Sequence, residues 1–486
     1  MVAAVIRSRS RSGSLRPGSL RLAAAAIILL GGTAAGGAQT ITDALANTYM
    51  TNPTLNSARA TLRATDENVP QALSGNRPQI FGTLSTGASG TRTYGGNGKV
   101  VGGVRTSHGK GYYNSYPTTI GVQLTQPLFD GFQTPNAVRQ AESLVKAQRE
   151  VLRNTEQSVL LDAATSFVDV IQAEALVELQ MSNLQFLDEQ VKASKDRFQV
   201  GEGTNTDVAQ AEASQAQAQA ELNSARANLQ AARATFRQIT GLDAKRLIDQ
   251  PKLGDRLKPK SLEAALGSGQ KQHPAIQAAI FNVDVAQFNA KVLEGQILPS
   301  VNLTADVQRA YDFGNIQSGL NRQADTASVG LNVSIPIYQG GLPSSQVRQA
   351  KEELGYARIQ VDLNRDQVRS LIVSAWGNLV AAEASIYAAR TSVVANQLAV
   401  NGVIEEQKVG QATTLDVLLQ QSNLIDARTI LVEAEHDRVV ALYTLISAAG
   451  RLDAETLALP VKAYRPAQHY EAVRDSWGGL RTPDGR

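Results

Sequence analysis

Hydrophobic positions along this chain follow two periods, and they do so twice in the same order. A helical segment over Ile41 to Val69 ends just before a proline, as does a second over Ser261 to Leu293. Two stretches of strict alternation follow each. Val301, Leu303, Ala305 and Val307 alternate with Asn302, Thr304, Asp306 and Gln308. Val329, Leu331, Val333 and Ile335 alternate with Ser328, Gly330, Asn332 and Ser334. In the first copy Ile120, Val122 and Leu124 alternate with Thr119, Gly121, Gln123 and Thr125, and Ile80, Leu84 and Ala88 give a weaker version. A period of two marks strands with one apolar and one polar face, each here about ten residues long.

Very long helices come next. Pro135 suits a first helical turn, and no proline or glycine interrupts Asn136 to Val200. Those residues would span roughly 98 Å as one helix. The matching stretch, Ser345 to Val409, contains Gly355, Gly377 and Gly402. Each long helix turns at a Val-Gly pair and returns through a shorter one, Asp207 to Thr240 or Asp416 to Ala449. The first return carries small and large residues at 3-4 spacing (Ala211, Gln215, Ala218, Leu222, Ala225, Leu229, Ala232, Phe236, Ile239), a coiled-coil seam. The second keeps it through Leu424, Ala427, Leu431, Ala434, Ala441 and Leu445, apart from Arg438.

The two halves are a tandem duplication. Asp43-Ala44-Leu45 and Asn52-Pro53 match Ala264-Ala265-Leu266 and His273-Pro274, 221 positions later, as Pro78 matches Pro299. Further on the offset is 209: Pro127-Leu128-Phe129-Asp130-Gly131 matches Pro336-Ile337-Tyr338-Gln339-Gly340, and Val138-Arg139-Gln140-Ala141 recurs unchanged at Val347 to Ala350. The change of offset is a single 12-residue indel in the glycine-rich stretch Gly90 to Gly111. The expected organisation is a leader over 1–38, a first repeat over 39–250, a second over 251–452 and a tail over 453–486.

Strands of ~9–11 tilted residues cross a bilayer, with lipid on the apolar face and water on the polar one. Four are too few to close a barrel, and an open edge in hydrocarbon costs several kcal/mol for each unpaired backbone group. Two, three or four copies must share one barrel of 8, 12 or 16 strands. Phe129 and Tyr338 stand where strands leave toward the helices, as membrane-interface aromatics do; Tyr94, Tyr112, Tyr113, Tyr116, Tyr311 and Phe313 stand at the opposite end.

Composition agrees with export. Arg7, Arg9, Arg11, Arg16 and Arg21, the apolar run Leu22 to Leu30 and the small residues through Ala38 read as a secretory signal peptide, too short to span a membrane. Removing five arginines takes the formal charge from +3 to −2, so nucleic acid is not an expected partner. With no cysteine there is no disulfide, thiol chemistry or cysteine-linked lipid, and the four histidines are scattered. Gly103 through Gly109-Lys110 mimics a phosphate loop but has five intervening residues and Gly111 in place of Ser/Thr. No catalytic, cofactor or metal site, and hence no enzyme, is expected. A flagellin-like filament would not need the leader and alternating strands, and a periplasmic adaptor would not need the strands.

These residues resemble the TolC family of outer-membrane efflux and secretion channels. The likeness rests on the paired Pro-Leu-Phe-Asp-Gly and Pro-Ile-Tyr-Gln-Gly strand exits. It rests also on Arg197-Phe198-Gln199-Val200-Gly201 with Asp207-Val208, and on Val409-Gly410 with Asp416-Val417. The tail, Tyr464-Arg465-Pro466-Ala467-Gln468-His469-Tyr470 with Val473 to Trp477, resembles the type I secretion subgroup. The resemblance implies an α+β membrane protein. It would be a homotrimer with a 12-stranded outer-membrane β-barrel, four strands per chain, continued by an α-helical periplasmic barrel. Its implied partners are a periplasmic adaptor, an inner-membrane ABC or proton-driven transporter, and outer-membrane lipid.

Thr204-x-x-Asp207 and Thr413-x-x-Asp416 follow the turn glycines, and helix capping accounts for both. The resemblance adds a second reading, in which Asp416 lines the periplasmic entrance as a ring of acids. Thr206 and Asp207 then match positions in the bonds that hold the channel shut. The family's tyrosine and arginine gate partners are matched here by Gln407 and Ala412, and a second entrance acid by Leu419, so a lock of different chemistry is implied. Two similar tips in each of three protomers give six sites, making Val200, Gly201, Val409 and Gly410 the expected adaptor-docking turns.

Overall fold

The computed structural model describes residues 39–93, 100–101, 104–105, 111–245, 247–248, 252–313, 322–483 and 485. The leader, Tyr94, His108 and most of the phosphate-loop lookalike lie outside the described residues, as do the side chains of Tyr112, Tyr113 and Phe313. In each half, short helices lead into strands, then a long helix and its return: α1 (Ile41–Thr51), α2 (Pro53–Asp66), α3 (Asn68–Leu73), β1 (Gln79–Thr86), β2 (Ser89–Thr93), β3 (Gly111–Phe129), α4 (Gln133–Gln199) and α5 (Asn205–Thr240). The second half has α6 (Leu262–Gln272), α7 (Pro274–Gly295), β4 (Ser300–Phe313), β5 (Arg322–Ser334), α8 (Leu342–Lys408) and α9 (Thr414–Ala448), and the tail adds α10 (Pro466–Val473). A two-residue parallel pairing joins Gln39–Thr40 to Leu247–Ile248.

The opening helices are not continuous, contrary to their periodicity. Asn52 and His273 break them, and each serves as N-cap to the helix begun by the following proline. The Asn52 side chain accepts from the Thr54 and Leu55 N–H groups, and His273 Nδ1 accepts from Ala275 at 3.2 Å. Proline at the first helical position loses only an N–H that has no helical partner. The repeated Asn/His-Pro pair is thus a helix start. Burial lowers the pKa of His273, keeping it a neutral acceptor.

The long helices each run 67 residues, about 100 Å. The glycines of α8 do not break it. Its return α9 packs on α8, as α5 packs on α4, and α9 also touches α4 between the halves. The seam is buried as its spacing requires: Ala211, Ala218, Leu222 and Phe236 on α5, Leu424, Ala427, Ala434 and Leu445 on α9. Arg438, which interrupts the pattern, leaves the core to bond Asp255 at 2.6 Å. The main core sits where α1, α2, α6 and α7 wrap the long helices, around Leu45, Leu62, Phe167, Phe236, Ile372 and Leu445. Toward the turns packing thins to a small cluster and a buried amide pair, Gln421 to Asn183 at 3.1 Å.

One antiparallel sheet carries the strands in the order β1-β3-β4-β5. β2 keeps the register of β1 on β3 (Thr86 opposite Thr118, Ser89 opposite Ser115), so the sheet has four rows. The strands are longer than alternation alone indicates, 19, 14 and 13 residues for β3, β4 and β5. Ala88 and Ile335 fall just outside. The register of β3 on β4 slips by one residue between Pro127 and Phe129.

Candidate functional site

Two regions carry candidate function, the sheet and the helix turns. Register places Ile80, Leu124, Ala305 and Val329 in one row and Gly82, Val122, Val307 and Ala327 in the next, all on one face. The other face holds Thr83, Gln123, Asp306, Gln308 and Ser328, with a bond between Ser328 and Asp306. Ile80, Leu84, Ile120, Val122, Val307, Val329, Leu331 and Val333 are exposed on this single chain. The apolar face ends at the row Leu84-Ile120-Arg309-Asp325, where Arg309 grips Asp325 with two bonds, 2.5 and 2.8 Å, and Tyr311 follows. From Val301 to Arg309 is about 27 Å along the strand, ~20 Å upright at a barrel's usual tilt. At the other end Phe129 meets Phe132 edge to face, ring centroids 5.1 Å apart, and Tyr338 is exposed. Apolar surface therefore covers nearly the ~25 Å of an outer-membrane band.

Strand leads to helix through two residues with positive φ. Gly340 and Gly341 (φ 64° and 82°) supply them in the second half, Gly131 and Phe132 (70° and 63°) in the first. A left-handed phenylalanine is strained, and its ring packs edge to face on Phe129. Sequence reasoning missed Phe132, which a comparison with Gly341 would have exposed.

The turns are two copies of one motif. Gly201 and Gly410 have φ of 83° and 76°. Glu202 N–H donates to the Arg197 carbonyl and Gln411 N–H to that of Glu406, each at 2.9 Å, a closure that requires a left-handed residue, hence glycine. Val200 and Val409 are exposed beside them. Thr204 and Thr413 then cap the return helices. Each hydroxyl donates to Oδ2 of Asp207 or Asp416 at 2.7 Å and accepts from the same residue's N–H at 3.2 Å. These bonds hold both carboxyls below the usual range, Asp207 with added help from Arg197 and Thr414. The capping reading is realised in full at both turns, and Thr206 is exposed on the first turn of α5.

What the spacing could not reveal is a link between the two hairpins. Arg197 Nη2 donates to Gln407 Oε1 at 3.4 Å, and Gln407 Nε2 to Thr414 Oγ1 at 3.3 Å. A cleft of about 800 Å³ lies here, lined by Ser194, Arg197, Asp207, Gln407, Ala412 and Thr414. Gln407 and Ala412 are thus brought together with Asp207, while Asp416 lies outside that lining.

Higher up, His436 joins the halves, contacting Asp169 of α4 at 2.8 Å and Asp437 at 3.0 Å. The Asp169 bond, opposed by burial and aided by Asp437, raises the histidine pKa. A raised pKa gives stability that is complete below the unfolded value near 6.5 and is lost as pH climbs through the folded value. Melting at about pH 6 and pH 8.5 should show wild type losing stability at the higher pH. Asp169→Asn should shrink that difference; an unchanged one would remove His436 from this role.

The free face of α9 reads Asp416, Leu419, Asn423, Asp426, Ile430, Glu433 and Asp437, all exposed at unbroken 3-4 spacing. It holds four acids and no base. The equivalent positions of α5 hold two, Asp207 and Glu221.

Against known proteins, the outer membrane efflux protein family model matches residues 41–242 and 266–451. The outer membrane efflux protein BepC of Brucella suis is 46% identical over 470 residues, 96% of this chain and 98% of its own. The outer membrane protein TolC of Escherichia coli is 27% identical over 420 residues, 84% and 81% of the two chains. A crystal structure of CusC shares the fold, with a TM-score of 0.70 at 16% identity over 84% of this chain and 92% of that one. With apolar-faced strands, 100 Å helices and two matched segments, the chain belongs to the outer membrane efflux protein family, as a channel of the outer membrane.

Proposed function

We infer that three copies form the exit duct of a tripartite efflux or type I secretion system. Their sheets close one 12-stranded barrel, and their helices continue it into the periplasm toward an adaptor and an inner-membrane transporter. The observation that carries this is the open four-row sheet, apolar on one face, in which β1–β2 and β5 each have one edge with no partner strand among the described residues. Hydrocarbon does not tolerate such edges, so copies must pair β5 to β1. In detergent the mature protein should scatter light as a trimer once the bound detergent is subtracted. A stable monomer with intact strand content would overturn the assembly.

The helices repeat the requirement. Val373, Val380, Tyr387 and Val394 recur every seven residues on α8 and are 46, 51, 79 and 71% exposed. Their counterparts on α4 begin with Ala164, which is buried, and Ile171, which packs against the core between the halves. Among the described helices α8 alone has the length and composition to cross a membrane. Its exposed heptad seam is better assigned to the neighbouring protomer, because the rest of the helix is charged.

In this assembly the turns form the periplasmic entrance, with Asp416 and the acidic face of α9 toward the axis. Gln407, bonded to Arg197, stands in for the gate partners of other members. Two unit charges about 6 Å apart repel by roughly 2.8 kcal/mol at an effective dielectric of 20, so a ring of three attracts cations. The channel should be cation-selective, and Asp416→Ala should move the reversal potential in a salt gradient toward zero. Identical potentials for wild type and variant would leave Asp416 a cap alone, worth about 1 kcal/mol or less.

A further inference from the structure

The tail climbs the protein toward the membrane by a series of aromatic clasps. Arg59 lies over the Tyr464 ring at 5.3 Å and over the Tyr49 ring at 4.5 Å, and the Tyr464 N–H donates to the Tyr49 hydroxyl at 2.9 Å. His469 meets the buried Asp66 at the end of α2 at 2.9 Å, and Tyr470 stacks on Arg149 at 5.1 Å. Last, Arg77 stacks on Trp477 at 4.7 Å and donates to the Ser476 carbonyl at 2.6 Å. The partners pass from α1 to the end of α2 and then to Arg77, two residues before the first residue of β1. Trp477 is therefore fixed at the level where the chain enters the bilayer. It is nonetheless 74% exposed, and Leu480 beyond it is fully exposed.

The duplication shows what is unusual at that level. Asn76 and Arg77 correspond to Ile297 and Leu298, which precede Pro299 and β4 as Asn76 and Arg77 precede Pro78 and β1. The second repeat thus presents two half-exposed aliphatic side chains at the membrane edge, and the first presents an amide and a guanidinium. Trp477 lies on that guanidinium. Tryptophan, with an apolar ring and a polar N–H, is one of the two side chains enriched at the headgroup level.

We propose that the tail is an interfacial anchor: Trp477 and Leu480 dock into the phospholipid of the periplasmic leaflet, replacing the aliphatic pair that the first repeat lacks. Arg77 holds the indole at that depth. Each trimer then adds three tail contacts to the leaflet, beside Ile297 and Leu298 of the three second repeats.

The chain has two tryptophans, and Trp376 is packed against the core, so Trp477 is accessible to direct spectroscopy. The Trp376→Phe protein is reconstituted in phosphatidylethanolamine–phosphatidylglycerol vesicles carrying a spin label near the headgroup or deep in the acyl chains. Trp477 fluorescence should be quenched at least about twofold more by the shallow label than by the deep one. If Trp376→Phe impairs assembly, the same signal is the difference between wild type and Trp477→Phe, which retains Trp376. Quenching by aqueous iodide alone would place the tail in water. Protection from every quencher would place it under a neighbouring protomer, and stronger quenching by the deep label would place it below the interface. Each of these three results overturns the proposal.

Discussion

Val380→Asp with Tyr387→Asp should abolish trimer formation and, with it, insertion into the outer membrane. Both residues lie on the exposed seam of α8, 51% and 79% exposed in one protomer. Burying a side chain of this size contributes roughly 1.5–3 kcal/mol, and a carboxylate buried without a partner costs several more. Three interfaces each bear both changes, so the loss is counted three times in one closed ring. Within a protomer the same positions touch solvent, so the hairpins should keep their helix content. Crosslinking of wild type and variant in isolated envelopes measures the effect. A variant that still crosslinks as a trimer at wild-type yield would show that the seam faces the lumen or the periplasm.

The features legible in the sequence are those with a period. Alternation at Val301 to Val307 and Val329 to Val333 marks both the strands and the lipid-facing side, because a half-buried sheet imposes a period of two on every residue. The return-helix seam from Ala211 to Phe236 is legible for the same reason at 3.6. Duplication sharpened both, since each weak signal occurs twice. Features fixed by one long-range contact were not legible. The breaks at Asn52 and His273 are a different case: a local cap and the following proline set them, but the apolar spacing continues across and masks them. Arg197 bonds Gln407, His436 bonds Asp169 and Arg77 stacks on Trp477 between positions 210, 267 and 400 residues apart, and no local pattern encodes such a pair. The turns lie between these cases. Glycine and Thr-x-x-Asp announce capped helix ends, and the structure realises the caps, but the same bonds would form whether or not the turn meets a partner.

That ambiguity makes the turns the place for the most decisive functional test. Gly201 and Gly410 lie in the left-handed region with open space around the position a side chain would occupy. Leucine at either site therefore meets no steric block within the protomer and adds backbone strain of about 1 kcal/mol per turn. The core around Phe167 and Phe236 and the sheet lie far along the chain from both turns, so trimer yield and membrane insertion should stay near wild type. Docking is different. In the proposed trimer six turns meet the adaptor, and six added isobutyl groups flanking Val200 and Val409 would clash at every one of them. Gly201→Leu with Gly410→Leu should reduce export to background, while the single variants, altering three turns each, should retain part of it. Replacement by asparagine, which tolerates the left-handed region, separates strain from bulk: restored export would assign the defect to strain, continued failure to the occupied surface. Export at the wild-type rate in the double leucine variant would mean that the adaptor meets this channel elsewhere, and Val200, Gly201, Val409 and Gly410 would then be helix ends and nothing more.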